Sequence, residues 1–387
     1  MESLGVLLIT ANIGSVCDEP EEIEKSWLQE FYKTVQDHQS SFIALHLQEF
    51  GGKNYQENMG CAENFVRRLM QSEEMSQYNC IQSFIDKDFT QTERFTALAS
   101  IYFVHDSLQN VRIYDFQEKN FVSVSGHTMW MGSLEDCPTV HKERFPQDFW
   151  LEFAWTRKGF MKTRWLVNDQ MFNLVNLHLF HDASNLVSGD CSPSVYSANR
   201  RRGLYHVLTR LKDGNNAPFF LFGDFNFRLD LKSLIQAQGW TLSDTRDLDG
   251  QTAVYEQDGE VQLLMKCKQF EHHNAKVFQD ENEHMLLRFD HEPMPFLNEL
   301  TEVQISFPPT YPFSENVTKP SEFMGTRCPA WCDRVFMSHA ARALLQKGKL
   351  REACVRYGRI GGDVCMGDHK PVFLYFKMES KFDHLEI

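Results

Sequence analysis

Three short polar clusters in this chain are each joined to an apolar run. Gly223-Asp224-Phe225-Asn226-Phe227-Arg228 follows Phe219–Phe222, and Pro329–Arg334 leads into Val335-Phe336-Met337. Gly367-Asp368-His369-Lys370 precedes Pro371–Leu374. The apolar runs read as buried strands, so carboxylates, an amide, an imidazole and several cations gather at strand ends. Asn12 closes the run Val6–Ala11 and Glu49 closes Phe42–Gln48 in the same manner. Residues of these types can hold a divalent cation, activate water and grip phosphate. Magnesium prefers oxygen donors and completes its shell with water and substrate phosphate, so one or two carboxylates plus an amide suffice.

Each feature has a plainer reading beside the chemical one. Asp224 and Asn226 are two apart and share a face of an extended chain; the alternative is an ordinary turn, with Gly223 there to let the backbone turn tightly. Asp368-His369, with Asp333, forms either a general acid/base or oxyanion element or a mere surface pair. A carboxylate partner would raise the imidazole pKa and fix its tautomer. His178 ends the apolar segment Met171–Leu179 and would point into a site; His178 and His181 as a zinc pair lack a third ligand. His46, His141 and His339 are assigned to structure. Arg157, Lys158, Lys162 and Arg164 form a basic stretch with no acid within it. On a strand, Lys158, Lys162 and Arg164 share one face, either as a solvated edge or as a local positive focus. Arg228, Arg327, Arg334 and Lys370 all fall beside the polar clusters. Several converging cations suit a substrate carrying several phosphates.

The elements that must position these groups alternate. A strand over 6–11 is followed by a helix opened by Glu19-Pro20-Glu21-Glu22, then by a strand over 42–47 and a break at Gly51-Gly52. Strands are expected over 95–104 and 111–121. A hairpin spans 158–167 and 171–179 around Asn168-Asp169. A helix spans 196–211 and a strand 219–222. Residues from about 231 to 300 read as an acidic, helix-like insertion, with apolar spacing at Leu263, Leu264, Phe270 and Phe278. Ser306–Pro312 is a rigid extended segment. The fold class is α/β.

A net charge of −14 over 387 residues disfavours a nucleic-acid surface. Ten cysteines at irregular spacing suit a reduced, intracellular chain better than a disulfide framework. No apolar run approaches the roughly 20 residues that span a bilayer, and no signal peptide is evident.

Phe219–Arg228 and Arg327-Cys328-Pro329-Ala330-Trp331-Cys332-Asp333-Arg334-Val335 resemble the two signatures of the inositol polyphosphate 5-phosphatases. Gln48-Glu49, Asn176–Leu179, Phe307–Tyr311 and Gly367–Val372 match that family in the same order, and the resemblance covers nearly the whole chain. Gln48–Lys53 and Phe180–Asn185 look like the type I branch. The resemblance implies the DNase-like exonuclease–endonuclease–phosphatase fold: a four-layer α/β/β/α sandwich, two mixed β-sheets packed face to face with helices outside. It implies one catalytic domain over 1–378, containing the insertion, and a short tail over 379–387. It also implies hydrolysis of the 5-phosphate of soluble inositol 1,4,5-trisphosphate and inositol 1,3,4,5-tetrakisphosphate. The alternatives are a phosphoinositide lipid 5-phosphatase and a magnesium-dependent endonuclease on the same fold.

By position in that family, Glu49 is the principal Mg2+ ligand, Asn12 lies close by and Asp368 supports the metal region. Asp224 orients and deprotonates water, Asn226 holds the water or a phosphate oxygen, and His178 contacts the scissile phosphate. Asp333 keeps His369 charged against the oxyanion. Spacing adds Lys158, Lys162 and Arg164 as a cradle for the other phosphates. Type I relatives end in a prenylated cysteine box, absent at Ile387, so a cytoplasmic monomer with at most weak membrane contact is expected. A longer prenylated form would reach the inner face of the plasma membrane. Pro312 stands where lipid-acting relatives carry lysine, which fits a soluble substrate.

Overall fold

The computed structural model describes residues 4–18, 22–150, 157–212, 217–244, 252–272, 275–278, 283–345 and 355–378. Pro20 and the tail 379–387 lie outside them. In chain order the first half runs β1 (Leu4–Asn12), α1 (Gly14–Asp18), α2 (Glu22–His38), β2 (Phe42–Gln48), α3 (Tyr55–Gln71), β3 (Cys80–Asp86), β4 (Ala99–Val104), β5 (Arg112–Asp115), β6 (Asn120–Ser123), β7 (His127–Gly132), β8 (His141–Arg144), β9 (Gly159–Val167) and β10 (Gln170–His178). There follow α4 (Asn185–Asp190), α5 (Val195–Leu211), β11 (Phe219–Asp224), α6 (Leu231–Gln238), β12 (Thr241–Asp244), β13 (Ala253–Gln257), β14 (Glu260–Lys266), β15 (Gln269–Glu271), β16 (Leu300–Glu302), β17 (Asp333–Ser338), α7 (His339–Arg342), β18 (Val355–Arg359) and β19 (Val372–Met378).

Two mixed sheets result. One has the order β18-β19-β1-β2-β4-β3-β7, the other β16-β17-β11-β10-β9-β5-β6 with β8 paired to β9. Side chains alternate across each strand, and the alternation sorts them into layers. Leu4, Val6 and Leu8 of β1 meet Met161 and Trp165 of β9 and Phe220 and Phe222 of β11 between the sheets. Leu7, Ile9 and Ala11 turn outward onto Trp27, Phe31 and Phe65 of α2 and α3. Val175, Leu177 and Leu221 turn outward from the other sheet onto Leu204, Val207 and Leu208 of α5. This is the expected four-layer α/β/β/α sandwich.

Four expectations need correction. The single strand expected over 111–121 is a hairpin, β5 paired antiparallel with β6. The segment 231–300 is not mainly helical: α6 is followed by a small antiparallel sheet, β12-β13-β14-β15. The β13–β14 hairpin turns on Asp258 and Gly259, both at positive φ (53° and 81°), the Asp-Gly pair that favours a two-residue hairpin turn. Leu263 and Met265 are buried in the period of two that a strand requires. The strand expected from Phe95 starts at Ala99, after Ala97 at φ 53°. Gly223 does not serve a turn. It sits inside β11, where a Cβ would lie 2.0 Å from the Leu177 carbonyl oxygen, so it permits close strand approach.

Candidate active site

The inter-sheet core ends in polar groups along one edge of the sandwich. β1 and β2 run parallel, with Asn12 opposite Gln48. β10 and β11 run parallel, with His178 opposite Asp224, and Asp224 faces Asp333 at the start of antiparallel β17. His369 precedes β19, whose Val372 pairs with Thr10 of β1. Strand ends from both sheets therefore meet at one place. A polar layer separates them from the apolar core: Gln48 Nε2 donates to Asn176 Oδ1 at 2.8 Å, and Asn176 Nδ2 donates to the carbonyls of Leu47 and Ala99.

Glu49 follows inward-facing Gln48, so plain alternation would send it outward. Its φ of 53° breaks the strand, a conformation costly for a glutamate and concentrated at functional sites. Its Oε1 lies 3.8 Å from Lys158 Nζ and 3.7 Å from His178 Nε2. Burial alone would raise the Glu49 pKa, but Lys158, His178, Arg157 and His369 outweigh it and hold it at about 2.

Asp224 collects donors. Oδ1 accepts from the Asn226 backbone N–H at 2.8 Å, and Oδ2 accepts from Asn12 Nδ2 and Asn226 Nδ2, each at 3.1 Å. His178 Nε2 stands 3.1 Å from the same oxygen, and Lys158 Nζ hydrogen-bonds to His178 Nε2. Burial opposes ionisation of Asp224, yet His178, His369 and Lys158 hold its carboxyl far below the ordinary range. Burial and Lys158 keep His178 below the usual imidazole range, and burial takes the Lys158 ammonium down to about 8.

On the other side, His369 Nδ1 donates to Asp333 Oδ2 at 2.8 Å. Thr310 Oγ1 donates to the same oxygen at 2.8 Å and accepts from the backbone N–H of Cys332 and Asp333 at 3.1 Å. Burial disfavours the imidazolium, but Asp333 and Asp368 raise its pKa to about 10. Ligand atoms of Asp224, Asp333 and His369 lie within 4.8 Å of one another. An imidazolium cannot coordinate a metal, so this trio is an anion facing a hydrogen-bonded cation. The oxygen donors that suit a hard cation are Glu49 and Asn12: a Cβ on Gly14 would lie 2.9 Å from Glu49 Oε2 and 3.4 Å from Asn12 Oδ1, so the missing side chain leaves room beside both. Two oxygens with an ionised carboxylate fit magnesium.

Asn12, Glu49, Lys158, His178, Asp224, Asn226, Asp333 and His369 are thus brought together. Asp368 stands behind them, its Oδ1 2.9 Å from Ser15 Oγ, which also reaches Glu315 Oε1 at 2.6 Å. Five of the expected phosphate-binding cations are placed otherwise. Lys162 and Arg164 lie on the face of β9 opposite Met161, Thr163 and Trp165, over the rings of Phe116 and Tyr114. Arg164 Nε donates to Asn173 Oδ1 at 2.8 Å. Arg334 alternates with Asp333 and points away from the site, into ion pairs with Glu302 at 2.6 Å and Asp290 at 2.8 Å. Lys370 Nζ donates to the carbonyls of Gly361 and Val364. Arg327 reaches the carbonyls of Thr326, Cys267 and Asp182, at 3.0–3.3 Å. Thr310, Ser15 and Tyr311 were not among the expected site residues; the match of Phe307–Tyr311 to the family was the available signal for Thr310 and Tyr311. All nine described cysteines are free.

A family model described as Endonuclease/Exonuclease/phosphatase family 2 matches residues 9–375. The chain is 47% identical to inositol polyphosphate-5-phosphatase A of Canis lupus familiaris over 383 residues, covering 96% of this chain and 93% of that one. It is 33% identical to the probable type I inositol 1,4,5-trisphosphate 5-phosphatase of Caenorhabditis elegans, covering 96% and 99% of the two. Among solved structures it resembles the inositol polyphosphate 5-phosphatase domain of spsynaptojanin, crystallised with inositol (1,4)-bisphosphate and calcium ion. The TM-score is 0.53 at 14% identity, covering 97% of this chain and 84% of that one, a likeness that speaks for the fold alone. On its sequence relatives, this chain belongs to the inositol polyphosphate 5-phosphatase family.

Proposed function

We propose that this chain is a magnesium-dependent phosphatase that removes the 5-phosphate from soluble inositol 1,4,5-trisphosphate and inositol 1,3,4,5-tetrakisphosphate, ending calcium signals, as a cytoplasmic monomer. The observation that carries this reading is the opposition of an ionised Asp224 to a charged His369, ligand atoms within 4.8 Å, at the edge where both sheets end. A base for water and a cation for the developing oxyanion are what hydrolysis of a phosphate ester requires.

Asp224 orients the attacking water and takes its proton as the new P–O bond forms; the bond from phosphorus to the inositol 5-oxygen breaks, and that oxygen leaves as a hydroxyl with a proton from solvent. The Asn226 amide is already engaged on both of its atoms, by Asp224 and Leu179 O at Nδ2 and by Arg228 at Oδ1. Through these bonds it positions Asp224, and the second lone pair of Oδ1 suits the contact with water or phosphate that the family resemblance implies. His369 presents Nε2, the donor left after Nδ1 is bound to Asp333, to the charge that grows on the phosphoryl oxygens. Lys158 and His178 meet the scissile group from the opposite side. Glu49 and Asn12 would hold magnesium, which when bound supplies Lewis-acid polarisation of a phosphoryl oxygen. Positioning and electrostatics do most of the work in such transfers.

The test is a phosphate-release panel of soluble inositol phosphates, phosphatidylinositol bisphosphate micelles and abasic DNA, with magnesium and with chelator. Magnesium-dependent release from the soluble trisphosphate is expected to dominate. Faster turnover of the lipid, or cleavage of DNA at a comparable rate, would replace this reading with a lipid phosphatase or a nuclease.

A further inference from the structure

Arg228 has no chemical step assigned to it, yet it lies beside the residues that do. It is 8% exposed. Its Nη2 donates to Asn226 Oδ1 at 2.5 Å. Its guanidinium carbon sits 4.5 Å from the centroid of the Tyr311 ring, and that ring packs against His369 with 4.5 Å between centroids. One side chain therefore touches both halves of the site: the Asp224 half through Asn226, and the His369 half through Tyr311.

The neighbouring acids do not claim it with their own side-chain contacts. Asp182 and Glu292 both pair with Arg200, and Glu292 Oε1 meets Arg228 only at its backbone N–H, at 3.2 Å. Nε and Nη1 of Arg228 are closed to solvent and make no hydrogen bond. Buried N–H groups of a cation left unpaired are costly. Their enclosure also keeps a substrate oxygen from reaching them, which argues against the phosphate-gripping role suggested by the position of Arg228 after the motif.

The chemistry of the amide shows what the single bond to Asn226 does. An asparagine can turn either its oxygen or its nitrogen toward a neighbour. A guanidinium only donates, so Arg228 accepts the Oδ1 orientation alone. That orientation leaves Nδ2 to donate to Asp224 Oδ2 at 3.1 Å and to Leu179 O at 3.0 Å. With the amide reversed, Asn226 Oδ1 would face the Asp224 carboxylate, oxygen against oxygen. Asn226 is held at φ 52°, so the backbone confines the side chain to this neighbourhood.

We propose that Arg228 is a positioning residue for phosphate hydrolysis, locking the Asn226 amide so that it donates to Asp224. The inference rests on the hydrolase reading above. It is tested with Arg228→Met, Arg228→Lys, Asn226→Ala and the double variant R228M/N226A, by steady-state phosphate release from inositol 1,4,5-trisphosphate. Loss of positioning lowers kcat by about 10²-fold in R228M, with KM moved by less than about threefold. The double variant falls no further than N226A, because both changes remove one connection. R228K, which keeps the charge and a donor, recovers part of the lost kcat. If R228M is too unstable to assay, R228K carries the same test: lower kcat, unchanged KM, and no added loss on top of N226A. Calorimetry of the trisphosphate in chelator should give the same affinity for wild type and the Arg228 variant. A normal kcat with KM raised tenfold would make Arg228 a substrate ligand and overturn the proposal, as would multiplicative losses in the double variant. A wild-type protein that releases no phosphate would overturn the hydrolase reading instead.

Discussion

His178 and Asp224 are Cα partners in the parallel pairing of β10 with β11, and His178 Nε2 stands 3.1 Å from Asp224 Oδ2. Ladder register builds this contact, because a one-residue slip of either strand would turn its side chain to the opposite face. The same register places Asp333 beside Asp224 from β17. The site inherits its geometry from the sheet.

Asp224→Asn keeps the shape and removes the charge. Turnover should fall by about 10³-fold, in the range for loss of a general base and its electrostatic support. Circular dichroism should show an unchanged fold. Near-normal turnover would remove Asp224 from the chemistry.

Glu49→Gln should weaken magnesium binding, read by calorimetry without substrate, by more than about tenfold, the lower end for losing support of a metal site. Unchanged affinity would place the metal elsewhere.

His369 should titrate far above an ordinary imidazole. Its pKa is raised to about 10 by Asp333 and Asp368 against burial, so the folded state binds the proton more tightly than the unfolded chain. The associated stability is fully present below about pH 6.5, the unfolded value, and is lost as pH rises toward 10. NMR titration of the His369 ring should show no midpoint near neutrality, and Asp333→Asn should bring the midpoint down.

His46 behaves in the opposite sense. Burial lowers its pKa to about 3, and the ring stacks on Phe222 with 3.7 Å between centroids. The unfolded chain binds the extra proton first, so this stability is present above about pH 6.5 and is lost as pH falls toward 3. Denaturation midpoints should decline on acidification, and the slope between pH 6 and 4 should be shallower in His46→Phe.

Gly223→Ala should destabilise the fold by on the order of 3 kcal/mol. The added Cβ would meet the Leu177 carbonyl oxygen, backbone that cannot step aside, at 2.0 Å. A thermal melt matching wild type would contradict the packing.

Much of the site was legible because apolar runs ended in the same kinds of residue. Asn12, His178, Asp224 and Asp333 all lie on the inter-sheet face, and a strand boundary is readable from composition. Glu49 was legible as a strand end, but the left-handed φ that turns it inward was not. The cations misled because proximity to a motif says nothing about which face a side chain takes. Arg334 follows Asp333 by one residue and so points the other way. Lys162 and Arg164 fall between Met161, Thr163 and Trp165, and that parity could have sent them outward. The small sheet after α6 lies in an acidic segment whose charge masks its period, although Asp258-Gly259 and the Leu263–Met265 alternation signal a hairpin. Thr310, which donates to the Asp333 carboxylate and accepts from the backbone N–H of Cys332 and Asp333, could not be found from spacing, since it acts across 23 residues of chain.

The most direct test of water attacking phosphorus beside Asp224 and His369 is hydrolysis of inositol 1,4,5-trisphosphate in 18O-enriched water with magnesium, followed by 31P NMR and mass analysis of both products. One labelled oxygen should appear in the released phosphate, and the inositol 5-hydroxyl should carry none. Label in the inositol hydroxyl, or release from a position other than 5, would contradict the account.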